Sequence, residues 1–340
     1  MDTIICHTPG VLQLIQTDEP RSHATEASLK IRQVGLCGTD LHAFQGVQPY
    51  FSYPRILGHE LAAEVLDIPS GHGFEVGELV TVKPYFHCGT CVACRQGKTN
   101  CCVDMKVYGV HVDGGMRARV SLPITALVKG DGLDVDQLSL VEPLAIGAHG
   151  VRRAGIRPGE YVLVMGAGPI GIGTMLLAQA AGAHVIIMDT NTHRLHHCST
   201  LADNLVTIDA TSGNVYDQVQ SHTHGDMAGV VIDCTGSQLA ITNGFSYLAH
   251  GGRYVLIGLQ QEDIAFPHPE FHKRESTLLS SRNALTEDFD WVTHLLQEGA
   301  IQPDMFITHR ITHTELPNAL ADLLDPASGV IKAVVDFGGW

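Results

Sequence analysis

The run YVLVMGAGPIGIG, residues 161–173, sets an apolar strand pattern directly against a glycine-rich turn that opens a helical pattern. A lone G-x-G-x-x-G is a weak signal, but a strand before it and a helix after it are the context a dinucleotide fingerprint requires. Gly166 permits the tight turn, Gly168 lets a pyrophosphate approach the backbone, and Gly171 lets helix and sheet pack closely. Pro169 and Ile170 lie in the same turn, where the helix N-terminus faces phosphate charge. From Tyr161 to Met188 there is no Asp, Glu, Lys or Arg, a length that would suit a membrane span. However, Gly166, Gly168, Pro169, Gly171, Gly173 and Gly182 break the stretch into strand, turn, helix and strand. A buried βαβ unit is the reading.

The pattern continues on the C-terminal side. Strand-like apolar runs recur at HVIIM (184–188), NLVTI (204–208), GVVID (229–233), RYVLI (253–257) and STLLS (276–280). Six buried strands joined by crossovers predict an α/β fold with a doubly wound parallel sheet, a Rossmann domain. Asp189 closes the second strand, 18 residues after Gly171. A carboxylate there accepts both ribose hydroxyls and repels a 2′-phosphate, which favours NAD over NADP. Arg194 lies five residues on and could in principle receive a 2′-phosphate. Beside Asp189 it is read as stacking near the adenine or as solvated. Ile257 and Arg282 stand at the ends of the fifth and sixth strands, where ligands bind in such sheets.

Composition agrees with a soluble protein. The 340 residues are 44% hydrophobic and 17% charged, enough for two domains with packed cores. The formal charge of −15 argues against nucleic acid and against an anionic membrane face as partners. The start, MDTIICHTPG, lacks a basic region followed by an apolar run, so no secretory signal is read and a cytoplasmic protein is expected. The first ~145 residues look β-rich and irregular, with short strands such as LKIRQVG and ELVTVKPY. Near the C-terminus, DFDWVTHLLQEG reads as a helix and VIKAVVDF as a strand that could return to the first domain.

Cys88, Cys91, Cys94 and Cys102, in FHCGTCVACRQGKTNCC, follow C-x2-C-x2-C-x7-C spacing. Thiolates this close can surround one soft cation, and S4 sites of that kind hold zinc with no position open for substrate. Disulfides fit poorly at such short separations. Spacing alone leaves an iron–sulfur cluster as an alternative. The lobe, residues 86–103, is read as a structural zinc site, with Cys101 a spare thiol. Two further segments, VGLCGTDLH and YPRILGHELAAE, carry Cys37, Thr39, Asp40, His42, His59 and Glu60. Singly these residues are bland; together they offer the thiolate, imidazole and carboxylate expected of an open zinc site.

With CGTDLH, GHE, the four-cysteine lobe, VEPLA and GAGPIG in that order, the chain resembles the zinc-dependent medium-chain dehydrogenase/reductase family over essentially its whole length. It looks most like the sorbitol and threonine dehydrogenase branch, and within it like sugar-acid oxidoreductases of the L-galactonate 5-dehydrogenase type. That likeness rests on QPYFSYPRILGHE, GVHVDGG and FHKRESTLLSSRNA. The resemblance implies a GroES-like catalytic domain over 1–147 and 284–340 around a Rossmann domain at 148–283. It implies two zinc ions per chain and NAD(H). Cys37 and His59 would hold the catalytic zinc, with Glu60 as a direct or exchanging ligand and Glu142 holding it directly or through a water. Asp40 would orient a ligand. Some polyol dehydrogenases lack the structural zinc, but all four cysteines are kept here.

Zinc so held would supply Lewis acidity to a substrate hydroxyl, and the nicotinamide would take hydride from the carbon that bears it. By resemblance, Thr39 takes the proton and passes it by way of a ribose hydroxyl to His42, whose ordinary pKa suits a shuttle. Arg282 occupies a place where the family often contacts cofactor phosphate or substrate. Arg282 or Lys273 could pair with a substrate carboxylate, although a solvated surface role suits Lys273 better. His193, His196, His197, His222 and His224 form no ligand spacing. The expected substrate is a polyol or sugar acid, with L-threonine or a simple alcohol as the alternative, and the expected assembly a homo-dimer or homo-tetramer. A silent nucleotide sensor would lack Cys37, His59 or the Thr39–His42 pair, and none is missing. A zinc-ribbon nucleic-acid module is disfavoured by the acidic balance.

Overall fold

The fold is that of a computed structural model in which residues 1–21 and 23–338 are described. The chain forms two compact units, one built from Met1–Pro143 and Leu285 onward, the other from Leu144–Ala284.

The second unit is the Rossmann sheet. Its six strands are all parallel and run Val206–Asp209, His184–Asp189, Tyr161–Met165, Ala228–Asp233, Leu248–Leu256 and Thr277–Ser280 across the sheet. The first strand in sequence therefore lies in the middle, and the order reverses beside it. Val162, Leu163, Val164 and Met165 are fully buried, as expected of a strand covered on both faces. The fifth strand begins earlier than its apolar run. Ala228 pairs with Leu248 but Val230 pairs with Arg253, so the His250–Gly252 stretch bulges, with Gly251 at φ +75°. The helix Pro169–Ala180 buries every residue from Gly171 to Ala178, packing on the strands Tyr161–Met165 and His184–Asp189 with Gly173 against Leu144. The uncharged stretch 161–188 is thus strand, helix and strand. Among the described residues no helix is long and apolar enough to cross a membrane.

The first unit is β-rich around the strand Glu26–Gly35. Alternate residues Ala27, Leu29 and Ile31 are fully buried, giving the period of two that marks a half-buried strand. This strand pairs antiparallel with Glu60–Asp67, with Arg119–Pro123 and with Lys332–Asp336. Val335 lies opposite Val34, so the last apolar run does return to the sheet of the first. The register also sets Gly35 against Glu60. A hairpin of Tyr85–Phe86 and Lys106–Val107 brackets the cysteine loop. The helix Val135–Ala154 carries Pro143 in its interior, where the missing N–H leaves the Ser139 carbonyl without its ordinary helical donor.

Candidate functional site

The strand Glu26–Gly35 runs into Cys37, which caps the helix Gly38–Gln45. Asp40, third in that helix, accepts the Cys37 N–H at 2.9 Å through one oxygen and the Gly58 N–H at 3.1 Å through the other. One carboxylate, 1% exposed, therefore ties together the two turns that carry Cys37 and His59. Gly58 sits at φ +91°, and a Cβ there would press within 2.9 Å of Val34 and Met116. Only glycine allows the chain to deliver His59 at this point. Glu60 then opens the next strand. A ligand atom from each of Cys37, His59 and Glu60 lies within 4.8 Å of the others.

Glu142 stands outside that triangle, although its charge acts on His59. It lies mid-helix rather than at a helix start, and its Oε1 accepts the Tyr85 hydroxyl. Glu60 is paired by Lys332, whose ammonium also donates to the Leu36 carbonyl at 3.1 Å. Lys332 is 2% exposed. A Cβ at Gly35 would collide with the same Glu60 carboxylate, so the small residue leaves the room it occupies. Sequence reasoning missed both Tyr85 and Lys332. The one available signal was a lysine inside the otherwise apolar strand VIKAVVDF, since a lysine is almost never fully buried unless paired.

The electrostatics call for a cation. Burial alone would lower the His59 pKa, but Cys37, Asp40 and Glu142 outweigh it and hold the imidazole well above its ordinary value. Desolvation raises both Asp40 and Glu142 above the usual carboxylate range. Cys37, Asp40, Glu60 and Glu142 can together bear four negative charges, against the ammonium of Lys332 and the imidazolium that His59 can form. His59 Nδ1 is buried without a hydrogen-bond partner among the described residues, 3.9 Å from Asp40. A soft thiolate, an imidazole and a carboxylate converging in a net-negative pocket fit zinc.

Thr39 and His42 lie on the helix behind Cys37, three residues apart and so on one face. Thr39 is half-buried and His42 exposed.

In the lobe, the sulfurs of Cys88, Cys91, Cys94 and Cys102 also lie within 4.8 Å of one another. Backbone donors point at them. Cys91 N–H reaches Cys88 Sγ at 3.3 Å, Cys94 N–H reaches Cys91 Sγ at 3.5 Å, and Cys88 N–H reaches Cys102 Sγ at 3.2 Å. Donors from Thr90 and Cys91 pull the Cys88 thiol down to about 6, whereas desolvation and the Cys91 sulfur push Cys94 up to about 12. Such a cluster cannot be fully ionised without a cation at its centre, and four thiolates fit zinc. Cys101 is exposed and outside the set, and His87 Nδ1 approaches Cys94 Sγ only to 3.9 Å.

The second unit holds the remaining candidates. Gly166 adopts φ +101°, and a Cβ on Gly171 would collide with the Gly166 carbonyl. Gly168 caps the helix and Pro169 takes its first position, with Ile170 next. Asp189 accepts the Ala167 N–H at 2.6 Å and the Asn191 N–H at 2.8 Å, so it ties the glycine turn to the second strand. A Cβ on Gly168 would lie 3.8 Å from the Arg194 guanidinium, which places that cation beside the turn. Ile257 packs over Gly150, and Arg282 is exposed just beyond the sixth strand. Lys273 is exposed at the end of the helix His268–Lys273.

Residues 23–132 match the family described as the alcohol dehydrogenase GroES-like domain, and residues 169–298 match the family described as zinc-binding dehydrogenase. The chain is 42% identical over 338 residues to the L-galactonate-5-dehydrogenase of Escherichia coli (strain K12), covering 99% of each. Among solved structures, an alcohol dehydrogenase from Escherichia coli CFT073 complexed with NADH superimposes with a TM-score of 0.89 at 27% identity, covering 99% of both chains. A Sinorhizobium meliloti 1021 protein bound to NADP superimposes with a TM-score of 0.91, also at 27% identity, covering 98% of both.

Proposed function

Because the chain belongs to the zinc-binding alcohol dehydrogenase family, we propose that it is an NAD-dependent enzyme interconverting a secondary alcohol of a sugar acid or polyol with its ketone. The reading is carried by the triangle of half-buried Cys37 with buried His59 and Glu60, whose surplus negative charge asks for a divalent ion. Its substrate class is supported by the full-length identity to the L-galactonate-5-dehydrogenase.

Zinc bound by Cys37 and His59 would supply Lewis acidity that lowers the pKa of a substrate hydroxyl, and NAD bound at the glycine turn would take the hydride. This chain's residues do the rest. Asp40 keeps the Cys37 and His59 turns in register through its two backbone bonds. Lys332 holds Glu60, which serves as a direct or exchanging ligand, and Glu142 serves directly or through a water. Thr39 Oγ1 accepts the substrate's proton as its own passes on, and His42, one helical turn away and open to solvent, carries the released proton out. The four lobe cysteines hold a second, structural zinc. Gly166, Gly168, Pro169, Ile170 and Gly171 form the pyrophosphate turn, with Arg194 beside it. Ile257 and Arg282, at strand ends, are assigned to the cofactor side. The nine thiols, all free of disulfides, suit a reducing cytoplasm, and a homo-dimer or homo-tetramer is the proposed assembly.

A panel of polyols and aldonic acids tested for NAD reduction should show turnover on sugar acids or polyols at least about tenfold above L-threonine and simple alcohols in kcat/KM. The reverse ranking sinks the substrate assignment. Cofactor choice has its own check. Asp189→Asn keeps an acceptor for the Ala167 N–H but removes the charge that repels a 2′-phosphate. The ratio of kcat/KM for NAD over NADP should fall by about tenfold or more. An unchanged ratio would remove Asp189 from the ribose site.

A further inference from the structure

Tyr85 is a residue that neither the cysteine lobe nor the metal triangle explains. It is half-buried, and its hydroxyl meets Oε1 of Glu142, which is 3% exposed. Its ring stands edge-on to Phe289, with centroids 6.2 Å apart and planes at 70°. Its backbone is pinned by pairing with Val107 on the far side of the lobe. Ring, backbone and hydroxyl are thus all held, and the group they aim at is one of the charged groups acting on His59. A tyrosine hydroxyl can donate and a carboxylate oxygen can only accept, so in this pair the phenol is the donor and Glu142 the acceptor.

A carboxylate with one oxygen tied to a hydroxyl is held in one orientation, and its other oxygen is the freer of the two to meet a cation. We propose that Tyr85 is a positioning residue for the catalytic metal, fixing Glu142 as a one-oxygen ligand, direct or through a water, and thereby setting how tightly the ion is held. The assignment rests on the metal reading of the Cys37–His59 centre. Outer partners of this kind change metal affinity by about 10- to 100-fold when removed.

The test uses zinc-loaded protein titrated with a chromophoric chelator, with Cys37→Ser as the reference that identifies which metal is the catalytic one. Tyr85→Phe removes one oxygen atom and keeps the ring against Phe289. It should weaken the catalytic ion about 10- to 100-fold and leave the lobe ion unchanged. In a double-mutant cycle, Tyr85→Phe should cost little more once Glu142→Gln is present. Affinity within about twofold of the parent, or fully additive costs, overturns the proposal. Should Tyr85→Phe not fold, site-specific difluorotyrosine at position 85 keeps the shape but changes the hydroxyl's acidity. With cobalt in place of the catalytic zinc, its visible ligand-field bands should move, and unmoved bands overturn the proposal. If Cys37→Ser itself keeps both ions, the metal reading fails. If it loses one while Tyr85→Phe binds normally, only the role of Tyr85 fails.

Discussion

Cys37→Ser should lower kcat by about a thousandfold or more while leaving NAD affinity within about twofold, because several kcal/mol of hydroxyl activation depend on the ion it holds. Serine cannot stand in. Its hydroxyl stays protonated at neutral pH, and removing the thiolate takes away the softest donor of the Cys37–His59–Glu60 triangle. The glycine turn and Asp189 belong to the other compact unit, so nucleotide binding has no reason to fail with it. Metal analysis should fall from two ions per chain to one. Calorimetric titration with NAD and steady-state rates on the preferred substrate check the two halves of the result. Full metal content with near-parental turnover would end the assignment of Cys37 to the reacting ion.

Cys91→Ser should also leave one ion per chain but act on stability instead. Its sulfur accepts the Cys94 N–H and sits 3.5 Å from Cys94 Sγ, so the loop 88–102 loses both a ligand and part of its backbone bonding. The melting midpoint should fall on the order of 10 °C, since a structural metal contributes its binding energy to folding. Turnover at low temperature should drop by no more than about threefold, because a closed S4 site presents no position to substrate. Acid should mimic the lesion in the parent. Cys94 resists ionisation up to about 12 without metal, so binding must displace at least that proton, and metal loss to a chelator should quicken as pH falls. Calorimetry and metal release followed from about pH 8 downward read both effects. If Cys91→Ser abolished activity while the midpoint stayed put, the two clusters would have to exchange roles.

How much of this was legible in the sequence depended on separation along the chain. The four lobe cysteines and the Gly166–Gly171 turn lie within short windows, where spacing alone constrains geometry. Cys37, His59 and Glu60 were harder, because a thiol and an imidazole 22 positions apart acquire meaning only when Asp40 bonds both turns. Tyr85 reaches Glu142 across 57 positions, and Lys332 reaches Glu60 from the opposite end of the fold. No local pattern encodes such meetings; that of Lys332 with Glu60 follows from the strand Lys332–Asp336 pairing beside Glu26–Gly35. Arg194 shows the intermediate case. Its neighbourhood to Asp189 was readable, but its place next to Gly168 needed the helix Thr192–Leu201 to be built.

The pairing of Glu60 with Lys332 also orders events during synthesis. The entire nucleotide-binding unit, Leu144–Ala284, is interposed between these two positions. Closing so long a span is entropically slow, and until it closes Glu60 has no countercharge in the place it will be buried. A nascent chain that has emerged only through its cysteine lobe can load that ion early. The surroundings of the Cys37 pocket are complete only once Lys332 has been made, whereas the last cysteine of the lobe, Cys102, is already in place far earlier in the chain.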